Sequence, residues 1–188
     1  MRDVLVEQST HDAMIKSGAT FTLADLEALS PSFVSMSPLP ALAQVEFEGQ
    51  SLDTLKRDFK PLEYALPLAP KFETIDAFSV ISRSYFVEKT EGLCFAMFQV
   101  TVAHTHNVTA LKLRRVYDGT LKRLTAVQIR KVRASPVYLV FITDKTGGVF
   151  AKQKIEHKRG EKALNFKVHQ LLMCTASVTD EVAKLFSQ

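Results

Sequence analysis

Three polar residues interrupt the most apolar part of this 188-residue chain. Asp76 stands inside the run from Phe72 to Ile81, and Gln99 and Thr101 stand inside the run from Gly92 to Ala103. A carboxylate in an apolar strand is costly unless a cation, a metal or hydrogen bonds compensate it. The plainer reading of the same residues is a strand-end aspartate that accepts from nearby backbone N–H groups, with a glutamine and a threonine facing partly to solvent.

The elements that must position these groups are two strands. Both runs are rich in Ile, Val and Phe, and a charged connection carrying Glu88, Lys89, Glu91 and Gly92 joins them as a hairpin-like loop would. Side chains alternate along a strand, so Gln99 and Thr101 point to one face and Val100 to the other. If the two strands pair, Asp76 can share that polar face.

A second set of chemically capable residues lies further on. Between Lys112 and Arg133 there are eight basic residues, Lys112, Arg114, Arg115, Lys122, Arg123, Arg130, Lys131 and Arg133, against Asp118 alone. That leaves 16 of the 24 basic residues and 19 of the 20 acidic ones elsewhere, so a segment at +7 sits in a remainder at −3. Such asymmetry suggests a surface facing a polyanion, whereas the plain alternative is a solvated helix face. Lys152, Lys154, Lys158, Arg159, Lys162 and Lys167 make a looser patch diluted by Glu156 and Glu161.

Hydrophobic content of 46% and charged content of 23% are those of an ordinary globular chain. No apolar run reaches the length of about 18 residues that a membrane span needs. The first residues turn acidic and polar before an apolar leader segment develops, which leads us to expect either an intracellular protein or a piece of a longer chain. Cys94 and Cys174 read as buried free thiols, and no Cys/His spacing resembles a structural zinc site. The pair His104 and His106 could hold a metal, but a His pair at the end of a strand is more often an exposed turn feature.

In chain order, residues 1–44 read as an N-terminal appendage with a Pro/Ser-rich linker, and 45–188 as an α/β domain. Arg2 to Gln8 suggests a short strand. Thr22 to Leu29 reads as a short helix with Thr22 as its cap. Val45 to Phe59 reads as an opening helix, from an apolar stripe at 45, 52, 55 and 59. A strand over 62–68 follows, then the two central strands. Thr109 to Leu124 reads as a helix with Ala110, Leu113, Tyr117, Leu121 and Leu124 on one face, split in two by Gly119. Val137 to Ile142 is a strand, Val149 to Ile155 a short element, Val168 to Ala176 a last strand, and Val178 to Phe186 a closing helix. A helix between strands permits a parallel crossover, hence a central mixed sheet.

The order helix, three strands, helix, strand resembles the αβββαβ core of the PD-(D/E)xK restriction-endonuclease-like nucleases. The stretch Tyr64-Ala-Leu-Pro-Leu-Ala-Pro-Lys-Phe-Glu-Thr-Ile-Asp76-Ala-Phe, the triplet Gln99-Val-Thr101, and Tyr138-Leu-Val-Phe-Ile142 followed by a region with Gln153 resemble, more specifically, the C-terminal domains of Crinkler effectors and the related RHS proteins. This resemblance covers roughly residues 55–175 of the sequence. It implies a restriction-endonuclease-like fold with a central mixed sheet flanked by helices, and a secreted effector that acts in the host nucleus. It further implies DNA binding through the basic segment and metal-dependent phosphodiester hydrolysis. Asp76 would bind Mg²⁺, Gln99 would be a neutral ligand where the family carries an acid, and Glu63 or Glu48 would complete the shell. Thr101 stands where the motif has its lysine, which Lys112, Arg115 or His104 would have to replace. The family's P-loop NTPase domain and delivery segment have no counterpart in this chain. The loss of the second carboxylate and of the lysine keeps a second reading open, a catalytically degenerate scaffold that binds a host nuclear protein or DNA.

Overall fold

The architecture was read from a computed structural model, which describes residues 11–12, 15, 21–28, 34–35, 41–47, 52, 58–67, 75–86, 90–101, 108–143 and 150–174. The apolar runs make the centre of the sheet. β5 (Ala77–Ser82) and β6 (Leu93–Val100) pair antiparallel, with Ala77 opposite Phe98 and Ile81 opposite Cys94. β8 (Val137–Thr143) lies parallel to β6, and β10 (Val168–Cys174) lies parallel to β8. On the other side β4 (Glu63–Pro67) is antiparallel to β5, and β3 (Ala43–Phe47) runs parallel to β4 at the edge. β1 (Thr22–Asp25) and β2 (Val34–Ser35) extend the sheet beyond β10. The result is an eight-stranded mixed sheet in the order β2-β1-β10-β8-β6-β5-β4-β3. A two-stranded parallel ribbon of β7 (Val108–Thr109) and β9 (Ile155–Glu156) stands apart from it.

Two helices connect β6 to β8. α1 (Ala110–Leu121) buries Ala110, Leu113, Val116, Tyr117, Thr120 and Leu121, the face that helical spacing marked. Gly119 does not split it. A Cβ there would come within 2.8 Å of Leu52 Cδ1, so the glycine lets the helix approach that side chain. α1 ends instead at Lys122, and α2 (Ala126–Arg133) begins after Thr125, whose hydroxyl and Gln128 form a reciprocal capping box.

Both helices cover one face of the sheet. Leu113, Val116, Tyr117, Leu121 and Val132 pack there with Phe78, Val80, Phe95, Met97, Leu139 and Phe141. The opposite face is equally buried, with Tyr64, Phe98, Tyr138, Val140 and Met173 packed beside Phe21, Leu42 and Phe86. Strands this apolar on both sides are expected at the centre of a covered sheet.

The α/β class and the mixed sheet agree with the sequence reading, but two helices do not. Thr22–Asp25 is a strand, because its backbone pairs with β10 from Thr22 opposite Cys174 to Asp25 opposite Leu171. Ala43–Phe47 is also a strand: Val45 and Phe47 face the core while Gln44 and Glu46 face out, a period of two. The segment expected to be an appendage, 1–44, therefore contributes β1 and β2 to the same sheet as the rest of the chain. The expected strand at 2–8 and helix at 178–186 lie outside the described residues, as do His104, His106 and Glu48.

Candidate functional site

Residue alternation carries Asp76, Gln99 and Thr101 to the helix-covered face at one end of the sheet. The register that sets Ala77 against Phe98 puts Asp76 against Gln99. Phe95 and Met97, on the same side of β6, belong to the helix-side core. The Asp76 N–H donates to Phe98 O at 2.9 Å, adding a rung to the β5–β6 ladder. The carboxylate then adds another: its Oδ2 accepts from Val100 N at 2.6 Å and from Gln99 Nε2 at 2.8 Å. Gln99 Nε2 also donates to Val100 O at 3.2 Å. Thr101 continues the other side of β6, its N–H donating to Ile142 O at 2.8 Å.

Gln99 and Thr101 are each only 6% exposed, so they are core residues and do not face partly to solvent, whereas Asp76 is half-buried. Gln99 Oε1 is buried and has no hydrogen-bond partner among the described residues. Rotating the amide would satisfy nothing, since it would bring Oε1 against the Asp76 carboxylate, acceptor against acceptor. The aspartate therefore fixes the orientation of the amide.

Glu63 does not join this group. Tyr64 stands opposite Ser79, which places Pro67 beside Asp76 and Glu63 four residues away along β4, roughly 13 Å. Glu63 instead accepts from Lys60 N at 2.8 Å, closing the turn into β4. Among the described residues no group of three or more His, Cys, Asp or Glu side chains could hold a metal ion. A magnesium site on Asp76 and Gln99 would have one charged donor, one oxygen of which already accepts two N–H groups. Mg²⁺ seeks carboxylates and keeps its waters, and an amide that turns its NH₂ to the carboxylate does the work of a counter-charge itself. As arranged, the pair does not fit a resident divalent cation.

The basic residues all fall on the two helices and their junction. Arg115, Lys122, Arg130, Lys131 and Arg133 are exposed, and Lys112, Arg114 and Arg123 are half-buried. Arg114 donates to Lys162 O at 3.2 Å, tying α1 to the segment before β10. Lys122, Arg123, Arg130, Lys131 and Arg133 form no ion pair among the described residues. Arg130, Lys131 and Arg133 occupy the last turn of α2, where cations also suit the helix dipole. Lys112 and Arg115, considered as replacements for the motif lysine, lie in the first two turns of α1.

Two arrangements were not read from the sequence. Gln170, 2% exposed, uses its side-chain amide as a strand uses its main chain: Oε1 accepts from Gln153 N and Nε2 donates to Gln153 O, both at 2.8 Å. Lys152 pairs with Glu27 alongside. On the opposite face of the sheet His169 Nε2 lies 2.9 Å from Asp25 Oδ1, its ring lies against Tyr138, and the Tyr138 hydroxyl accepts from Arg83 Nε at 3.3 Å. A polar residue in an apolar strand run was the available signal for Gln170 and His169. Their partners come from β1 and from the irregular segment before β9, which no local pattern announces. For α2 the signal was the Thr125-x-x-Gln128 spacing.

No protein-family model matches this chain, and no curated protein or solved structure was found to match it. No helix among the described residues is long and apolar enough to cross a membrane.

Proposed function

We propose that this domain binds nucleic acid through the outer surface of α1, α2 and their junction, on a nuclease-like scaffold that does not hydrolyse it. The observation that carries the reading is the set Lys122, Arg123, Arg130, Lys131 and Arg133, five cations with no ion-pair partner among the described residues. A solvated helix face ordinarily interleaves both signs, whereas α2 contains no acid at all. Phosphates are the partner such a surface suits, with binding driven by counterion release.

The scaffold part of the reading rests on connectivity. The strands β4, β5, β6, β8 and β10 are neighbours in sequence order, with a helical crossover between β6 and β8. Asp76 immediately precedes the second of these strands, and Gln99-Val-Thr101 ends the third. That is where a PD-(D/E)xK nuclease carries its motif, and it favours the Crinkler-type effector reading, with action on DNA in a host nucleus. Metal-dependent cleavage of DNA is the second reading, which the position of the motif supports and the arrangement of the Asp76–Gln99 pair opposes.

One experiment separates the two. The purified protein is titrated with labelled duplex DNA at several salt concentrations and incubated with plasmid in Mg²⁺, in Mn²⁺ and in chelator, beside Asp76→Asn. We expect log Kobs to fall with log salt with a slope of roughly −4 to −5, about −0.9 per phosphate neutralised, and plasmid to stay intact. A flat salt response would end the nucleic-acid reading. Cleavage that requires metal and Asp76 would replace it with the second.

A further inference from the structure

Two carboxylates facing each other where Asp76 and Gln99 stand would repel, and a cation would be needed to hold the ends of β5 and β6 together. Gln99 removes one of those charges and supplies a donor. Its Nε2 lies 2.8 Å from Asp76 Oδ2, the same oxygen that accepts from Val100 N at 2.6 Å. Among the described residues Oε1 has no partner, which shows the half of the amide the site is built around: the donor is matched and the acceptor is left over in the core. An unmatched buried acceptor destabilises, so the carboxylate must orient the amide more strongly than any competing arrangement.

We propose that the Gln99 amide takes the place of a bound cation, so that this end of the sheet is locked without metal, and that this one residue sets the metal dependence of the fold. The inference borrows from the nuclease-like reading the place where a cation would sit. It concerns folding stability, so failure of DNA binding leaves it standing and its own failure leaves DNA binding standing.

Thermal unfolding of the whole protein tests it, in Mg²⁺, in Mn²⁺ and in chelator, for the native chain and for Gln99→Glu. The native Tm should be the same in all three. Gln99→Glu, which sets a second carboxylate against Asp76, should lose about 5–10 °C in chelator and recover most of it in millimolar Mn²⁺. Recovery should vanish when Asp76→Asn is added. Gln99→Leu, which removes the donor without adding charge, should lose a similar amount and recover nothing with metal. Should Gln99→Glu fail to fold, Mn²⁺ binding to the native protein, followed by water-proton relaxation, still decides the matter. Binding abolished by Asp76→Asn would overturn the proposal, as would a native Tm raised by metal. A Gln99→Glu protein indifferent to metal would overturn the role given to residue 99.

Discussion

Asp76 and Gln99 face each other across β5 and β6, and a single carboxylate oxygen, Asp76 Oδ2, accepts both the Gln99 side-chain amide and the Val100 main-chain N–H. Replacing Asp76 by Ala strips both donors of their acceptor in a partly buried place. A hydrogen bond to a charged group contributes about 1.5–3 kcal/mol, and stranded donors add to the loss. We expect Asp76→Ala to lower the free energy of unfolding in urea by about 2–3 kcal/mol. Asp76→Asn, which keeps an acceptor, should lower it by about half as much.

Substituting cations one at a time distinguishes phosphate contacts from a general attraction. Arg130→Ala and Lys131→Ala should each weaken duplex binding at low salt and reduce the salt slope by about 1. Arg114→Ala should change the slope less, because that guanidinium already donates to Lys162 O. Binding isotherms at four salt concentrations suffice to compare the three.

Gln170 substitutes for a strand in holding residue 153. Gln170→Leu keeps the volume and removes both bonds to Gln153 N and O. We expect a loss of about 2 kcal/mol, from the removal of two buried hydrogen bonds to the main chain. Hydrogen exchange should show the Gln153 amide losing its protection while β8 amides keep theirs.

Gly119→Ala sets two effects of opposite sign against each other. Alanine gains about 1 kcal/mol of helix propensity over glycine. The new methyl meets Leu52 Cδ1 at 2.8 Å and Leu52 Cβ at 3.2 Å, and Leu52 is buried. Overpacking of this kind costs about 1–3 kcal/mol, so the net effect should be destabilising by about 1 kcal/mol. Adding Leu52→Ala should remove the clash and make the two substitutions clearly non-additive.

Alkaline pH should unfold the protein early. Burial pushes the Cys94 thiol up to about 12, against the pull of Arg83. The Tyr117 hydroxyl is also raised by burial, with Arg133 opposing and Asp118 adding to the rise. Both groups keep their protons more tightly when folded. Their contribution to stability is therefore intact below the ordinary thiol pKa and is lost progressively as pH rises from about 8.5 toward 12. Urea midpoints should be flat up to about pH 8 and fall above it. Cys94→Ala should make the fall shallower.

The strands β5, β6 and β8 were legible because their apolar runs are long and β-branched or aromatic, and alternation put Gln99 and Thr101 on one face; that Asp76 stands opposite Gln99 depends on the β5–β6 register, which alternation does not set. The edges were not. Thr22–Asp25 has a respectable capping pattern for a helix, and only its pairing with β10 makes it a strand. At Val45 the sequence offers both a loose helical stripe and a strict five-residue alternation, and the exposed Gln44 and Glu46 show that the alternation wins. Asp76, Gln99 and Thr101 were legible as a neighbourhood. What its members do was not, because the direction of the Gln99 amide depends on which oxygen Asp76 presents.

β10 sits inside the sheet, between β8 and β1, yet it follows every other described strand in sequence. During synthesis, β8 therefore keeps one side open until Val168–Cys174 emerges, and among the described residues β1 has two-residue β2 alone to pair with until then. Closing such a distant pairing is slow, and an unpaired apolar strand edge invites association with other chains. Of the described strands, the two made earliest are among the last to find their place.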